Sequence, residues 1–138
     1  MTTTSAPAPA QLHRPPTQEH ERYVGAIIRP DLTGYHLIRM LLEPDLKKKW
    51  KAAMAYADKQ GGELPNRTES ALLFETREPG EFVSDWYWTR EQRAGFGVFA
   101  WCQYFGDGLQ HGNLKDGQCR VVLVRRVPFT YSVIQEAA

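Results

Sequence analysis

From Tyr23 onward, apolar and polar residues follow a β-like rhythm. YVGAIIR (23–29) and YHLIRMLL (35–42) are rich in β-branched and aromatic residues, and Asp31-Leu32-Thr33-Gly34 between them has turn chemistry. This predicts an antiparallel hairpin pairing 23–29 with 35–42. The alternation is imperfect, which leaves the register open. The period then changes. Leu46, Trp50, Ala53, Met54 and Ala57 recur at spacings of three and four, one apolar stripe of a helix. Pro44 suits its first turn, Asp45 favours its N-terminal dipole, and Gly61-Gly62 suits its end. Lys47–Lys49 and Lys51 fall largely outside the stripe and read as a solvated face rather than a patch for an acidic partner. A second, shorter helix is predicted after Asn66, which can cap it, with Glu69 three positions on as in a capping box. Its buried face is Ala71 to Phe74, and Pro79-Gly80 is its stop signal. Beyond residue 84 the pattern returns to short strands: 85–89, then 98–105 after a Gly-containing loop over 90–97, then 109–113. Asp107-Gly108 and Lys115-Asp116-Gly117 mark turns, and 118–127 reads as one long strand. The order β-β-α-α followed by short strands predicts an α+β fold.

Residues 1–22 break this organisation. They are rich in Thr, Pro, Ala and Gln, lack apolar periodicity, and read as a flexible arm ahead of a domain over 23–138. In an assembly such an arm is a candidate anchor. The formal net charge of +1 gives the chain no overall bias toward nucleic acid or anionic membrane. No apolar run approaches the roughly 20 residues that span a bilayer, and the first residues lack the apolar stretch of a secretory signal. The chain is expected to stay where it is made, or to leave in a larger particle.

The two cysteines, Cys102 and Cys119, are too few for a Cys-only metal site. They read first as reduced thiols in strands, with a disulfide left open should the strands be neighbours. His13, His20, His36 and His111 have no metal-ligand spacing, and there is no phosphate loop or nucleophile elbow. No cofactor is expected. The conspicuous residues are aromatic. Trp88 and Trp101 read as structural, whereas an exposed Trp86 or Tyr87 would be a natural binding hot spot. The segments 90–97 and 103–118 are the best ligand-facing candidates, with Arg93 in the first. The second carries Gln103, Tyr104, Asp107, Gln110, His111, Asn113 and Lys115, a mix suited to adaptable recognition of a protein or glycan.

Four pieces occur in a suggestive order: Leu64-Pro65-Asn66-Arg67 opening a helix, Tyr87-Trp88-Thr89, Ala100-Trp101 with Phe105-Gly106-Asp107-Gly108, and Val121 through Arg126. Over residues 50–127 the chain resembles the Lcl C-terminal domain of bacterial collagen-like surface adhesins, a family also found in phage and prophage proteins. The resemblance implies a C-type-lectin-like fold in which strands from both chain ends meet, two helices flank them, and loops on one face carry ligand contacts. It further implies a virion-associated, non-enzymatic binding module that docks to other virion proteins through residues 1–22 or assembles with its own copies. An intracellular phage protein that binds and inhibits a host factor is the alternative. A weaker one is a thiol- or copper-dependent oxidase related to formylglycine-generating enzymes. This chain is shorter than those enzymes and does not match their active-site pattern residue by residue. The Glu-Pro-Asn and Trp-Asn-Asp signatures of calcium-dependent sugar binders are absent. Asp107, Asn113 and Asp116 read as turn residues rather than calcium ligands.

Overall fold

The computed structural model describes residues 10–41 and 46–133. The first hairpin joins β2 (Glu21–Ile28) to β3 (Gly34–Met40), antiparallel, with Ile28 opposite Gly34. The Asp31 carboxylate accepts from the Thr33 amide at 3.0 Å and the Thr33 hydroxyl at 2.6 Å, so the turn chemistry acts as expected. A register shift between Tyr23 and Gly25 explains the imperfect alternation, because it lets buried Val24 join the core. Strand β9 (Leu123–Pro128) pairs with the other edge of β3, giving the order β2-β3-β9. Leu37, Ile38 and Val124 in these strands are fully buried.

The chain ahead of residue 23 also enters the fold. Strand β1 (Ala10–Leu12) pairs antiparallel with β10 (Tyr131–Val133), and Glu21 and Arg22 already belong to β2. The Glu21 carboxylate takes two hydrogen bonds from Arg125 of β9, at 2.5 and 2.8 Å. Residues 1–9 of the arm read from the sequence lie outside the described residues.

The first helix, α1 (Trp50–Lys59), begins later than its apolar stripe suggests. Pro44 and Asp45 lie outside the described residues, but Lys47–Lys48 form a short strand, β4, against Cys119–Arg120 (β8). Sheet pairing wins over helix propensity there. The Trp88 indole fixes the segment by donating to the Lys48 carbonyl at 2.7 Å. The Trp50 indole likewise donates to the Thr89 carbonyl at 2.9 Å, and small Ala53 and Ala57 bring α1 close against the sheet. Gly61, with φ of 76°, closes the helix in the left-handed region that glycine adopts without strain.

The second helix, α2 (Arg67–Glu75), carries the predicted capping box. Asn66 Oδ1 accepts from the Glu69 amide at 2.7 Å, and Glu69 returns a bond to the Asn66 amide at 2.8 Å. The helix stops four residues before Pro79, where the Thr76 hydroxyl bonds the Leu72 carbonyl at 2.8 Å. Of its predicted buried face only Leu73 is fully enclosed; Ala71 is exposed. Glu81 ties the following loop to the first hairpin through Arg22 at 2.8 Å and Arg39 at 2.7 Å.

Strands β5 (Trp86–Arg93), β6 (Phe96–Tyr104) and β7 (Gln110–Leu114) complete a five-stranded sheet of order β4-β8-β5-β6-β7. The stretch 90–97, expected as a loop, is mostly strand: β5 and β6 are joined by Ala94-Gly95 alone. The signal was hidden by a bulge, since Cys102 and Ala100 are two positions apart on β6 while their partners Trp88 and Gln92 are four positions apart on β5. The bulged backbone is taken up elsewhere, Arg90 donating to the Pro65 carbonyl at 2.8 Å. The expected single strand 118–127 is also divided. β8 joins the large sheet and β9 the small one, with Val121-Val122 between them crossing from one to the other. One core, with Trp50, Leu64, Trp88, Cys102 and Cys119, lies beneath α1; the other, with Leu73, Tyr87, Phe105 and Val124, lies beneath α2. The architecture is mixed α+β, two helices on antiparallel and mixed sheets. Among the described residues no helix is long and apolar enough to cross a membrane.

Candidate functional site

Helix α2 covers only part of its sheet face. Under it, Gln103 is fully buried and donates to the Ser70 carbonyl at 2.6 Å. Gln110 on β7 donates to Gln103 Oε1 and to the Arg67 carbonyl, both at 2.9 Å, and accepts from Arg67 Nε at 2.9 Å. This amide chain pins the helix N-terminus to the sheet. The Glu91 carboxylate adds a bond from the Arg67 amide at 2.5 Å.

Beyond that N-terminus the sheet face is open, and a row of stacked groups runs across it. The Arg67 guanidinium lies 3.7 Å from the Trp101 ring centre. Arg93 lies over the Phe96 ring at 4.8 Å and Trp101 at 5.7 Å, and Phe96 meets Phe99 edge-on at 6.3 Å. Gly112, opposite Trp101 on β7, leaves room for the Arg93 stem, whose Cδ is 3.1 Å from where a Cβ would stand. Leu114 pairs with Phe99. Phe96 and Leu114 on this rim are well exposed, at 52% and 50%, whereas Phe99 is half-buried and Val98, its neighbour along the strand, turns to the opposite sheet face. The ion pairs among the described residues do not include Arg67 or Arg93. This end of the sheet thus presents two cations, each lying against an aromatic ring, beside exposed apolar side chains.

On the opposite sheet face, past the end of α1, lies a smaller cleft of about 350 Å³ lined by Trp86, Cys102, His111, Gly112 and Asn113. Trp86 stacks obliquely on Tyr104 at 5.3 Å and meets His111 edge-on at 5.9 Å. Beneath it, the Cys102 thiol is 3.3 Å from the His111 carbonyl, and the Asn113 amide donates to the Cys119 sulfur at 3.2 Å. Both thiols are free and buried.

The residues expected to face a ligand therefore divide. Trp86, Tyr104, His111 and Asn113 meet around the cleft, while Arg93 and Gln110 belong to the other face. Tyr87 and Gln103 lie inside, with Tyr87 packed edge-on to Phe105 and Phe82, so neither offers a ligand-facing side chain. Asp107 is exposed and caps its turn by accepting from the Leu109 amide at 2.9 Å. Lys115 braces the hairpin, bonding Gln92 at 2.6 Å and lying 4.7 Å from the Trp50 ring centre. Sequence reasoning missed Arg67, Phe96, Phe99 and Leu114, and read Trp101 as structural only. The run Phe96-Gly97-Val98-Phe99 was the available signal, hidden while 90–97 was taken for a loop.

Comparison with protein-family models finds no match, and comparison with curated proteins finds none either.

Proposed function

We propose that this chain is a non-enzymatic binding module of C-type-lectin-like fold that recognises a protein through the open end of β5, β6 and β7. The observation that carries the reading is the apolar row of Phe96, Phe99 and Leu114, exposed at Phe96 and Leu114, beside Arg93 and the Arg67–Trp101 stack. Large apolar groups exposed together mark contact surfaces. Arginine and aromatic anchors dominate binding energy because they combine wide apolar area with directed polar groups. The fitting partner presents carboxylates to Arg67 and Arg93 and apolar side chains to the rim. The order of sequence motifs that resembles phage and prophage binding domains supports placing the module on a virion.

The test is affinity capture with the full chain from two sources, disrupted phage particles of the source prophage and host lysate. Wild type is compared with Phe96→Ser/Leu114→Ser and with Trp86→Ala, all checked for unchanged near-ultraviolet circular dichroism. A protein retained by wild type and Trp86→Ala but lost from the Phe96/Leu114 variant supports the reading. Its source separates the virion role from that of an intracellular inhibitor. Capture insensitive to Phe96 and Leu114, or a glycan bound through Trp86, contradicts it.

A further inference from the structure

Strand β7 ends the large sheet, and its ladder with β6 fixes which of its backbone groups are left over. The Tyr104 amide donates to the Leu109 carbonyl at 2.8 Å and the Lys115 amide to the Val98 carbonyl at 2.9 Å, bracketing the pairs Cys102–His111 and Ala100–Asn113. In an antiparallel pair, alternate residues turn both backbone groups toward the neighbouring strand. His111 and Asn113 therefore face β6, while Gln110, Gly112 and Leu114 turn theirs outward. Leu114 is satisfied locally: its amide donates to Asn113 Oδ1 and its carbonyl accepts from the Gly117 amide, both at 2.9 Å. The amides and carbonyls of Gln110 and Gly112 have no partner among the described residues. The other sheet edges are guarded. Strand β4 is two lysines, β2 is bulged between Tyr23 and Gly25, and Glu63 bonds Val124 of β9 in both directions, at 2.9 and 2.8 Å. The β7 residues, QHGNL, include no lysine, proline or carboxylate to block edge pairing.

At this edge Arg93 reaches across from β5, its Nη1 lying 3.4 Å from where a Gly112 Cβ would stand. It has no carboxylate partner among the described residues. We propose that an extended acidic segment of the partner protein adds to β7 as a further strand, a proposal that rests on the binding surface assigned above and states how the partner is held. A residue opposite Gly112 shares its face of the sheet and meets the Arg93 guanidinium with no side chain between, so an Asp or Glu belongs there. Two positions along, an apolar residue meets exposed Leu114. A second copy of this chain is the poorer occupant, because pairing β7 with itself sets one Arg93 beside the other.

The test selects a random-peptide display library on the immobilised full chain. Enriched peptides are synthesised and titrated against wild type, Gly112→Ala, Gly112→Pro and Phe96→Ser/Leu114→Ser. Proline removes only the outward amide and is tolerated at an edge position of this kind. Alanine adds the Cβ but keeps the amide. The expected peptides carry an acidic residue two positions from an apolar one. Gly112→Pro should weaken them by about tenfold or more, the scale of a lost hydrogen bond with its partner left unpaired, and Gly112→Ala should change them little. Amide exchange of wild type by nuclear magnetic resonance gives a second reading that needs no variant to fold. Gln110 and Gly112 should slow on peptide binding, while His111 and Asn113, already paired, stay as they were. No enriched peptide, or unchanged exchange at Gln110 and Gly112, overturns the proposal. Peptides lost from the Phe96/Leu114 variant but bound equally by Gly112→Pro overturn strand addition and leave the binding surface standing. Loss with Gly112→Pro alone keeps strand addition and removes the apolar rim from the account. Slow exchange at those two amides in the peptide-free chain, deepening with protein concentration, assigns the edge to a second copy and overturns the proposal.

Discussion

Replacing Glu69 with Ala is expected to cost about 3–4 kcal/mol of folding stability, far more than a helix-capping residue is worth by itself. Glu69 is fully buried, and four donors converge on its carboxylate. Arg126 of β9 gives two bonds at 2.5 and 2.7 Å, the Tyr35 hydroxyl of β3 one at 2.6 Å, and the Asn66 amide one at 2.8 Å. Burial alone would raise the carboxyl's pKa, but these donors outweigh it and hold it below the usual range. Removing one partner of a buried ion pair leaves the other charge uncompensated, at about 3–5 kcal/mol. The lower part of that range applies, because Arg126 keeps a second partner in half-exposed Glu63. The lost cap, about 1 kcal/mol in isolation, is not fully additive because the same side chain makes both interactions. Urea unfolding followed by tryptophan fluorescence reads the effect. With a slope near 1.5–2 kcal/mol/M for a chain of this size, the midpoint should fall by about 2 M at unchanged slope. Adding Arg126→Met to Glu69→Ala should recover part of the loss, since an apolar side chain leaves no stranded charge. A loss below about 1 kcal/mol for Glu69→Ala would refute the view that this carboxylate locks α2 to the small sheet.

The same carboxylates set the response to acid. Glu21 is held down to about 2 by its bonds from Arg125, and Glu69, Glu81 and Asp85 are also lowered because their donors outweigh burial. Groups with depressed folded-state pKa stabilise the fold above their ordinary values near 4 and lose that contribution as pH falls through the folded values. The midpoint in urea should therefore hold steady at neutral pH and drop steeply between about pH 4.5 and 2; a flat profile there would disprove the pairing. Gly34→Ala should cost about 3 kcal/mol or more, because a Cβ there would stand 1.9 Å from the Ile27 carbonyl oxygen and 2.6 Å from the Phe129 ring. A thermal melt unchanged by that substitution would contradict the close approach.

Legibility from sequence followed the range of the interactions. The Asn66–Glu69 capping box and the hairpin around Asp31–Gly34 are local, and both stand where the residues place them. The start of α1 was misread because Lys47–Lys48 answer to a strand more than seventy residues away, not to their own helical spacing. The division of 118–127 was invisible for a related reason. Cys119, Val122, Leu123 and Val124 are all buried, but in two different cores, and an apolar run carries no mark of which core takes each residue. Glu69 shows the limit most clearly: its capping role is written three residues away, while its partner Arg126 lies 57 positions on. The candidate site was found in part. Arg93 belongs to it, but exposure at Phe96 and Leu114 depends on how far α2 reaches over the sheet, which no local pattern records.

The most direct test of the binding surface is hydrogen–deuterium exchange of the full chain, alone and with the captured partner. Slowed exchange over residues 91–101 and 110–115, with α1 and the β2–β3 hairpin unchanged, is the expected result. Protection confined to the β2–β3 hairpin or to α1, with 91–101 exchanging as in the free chain, would contradict the claim that the open end of β5, β6 and β7 recognises the partner.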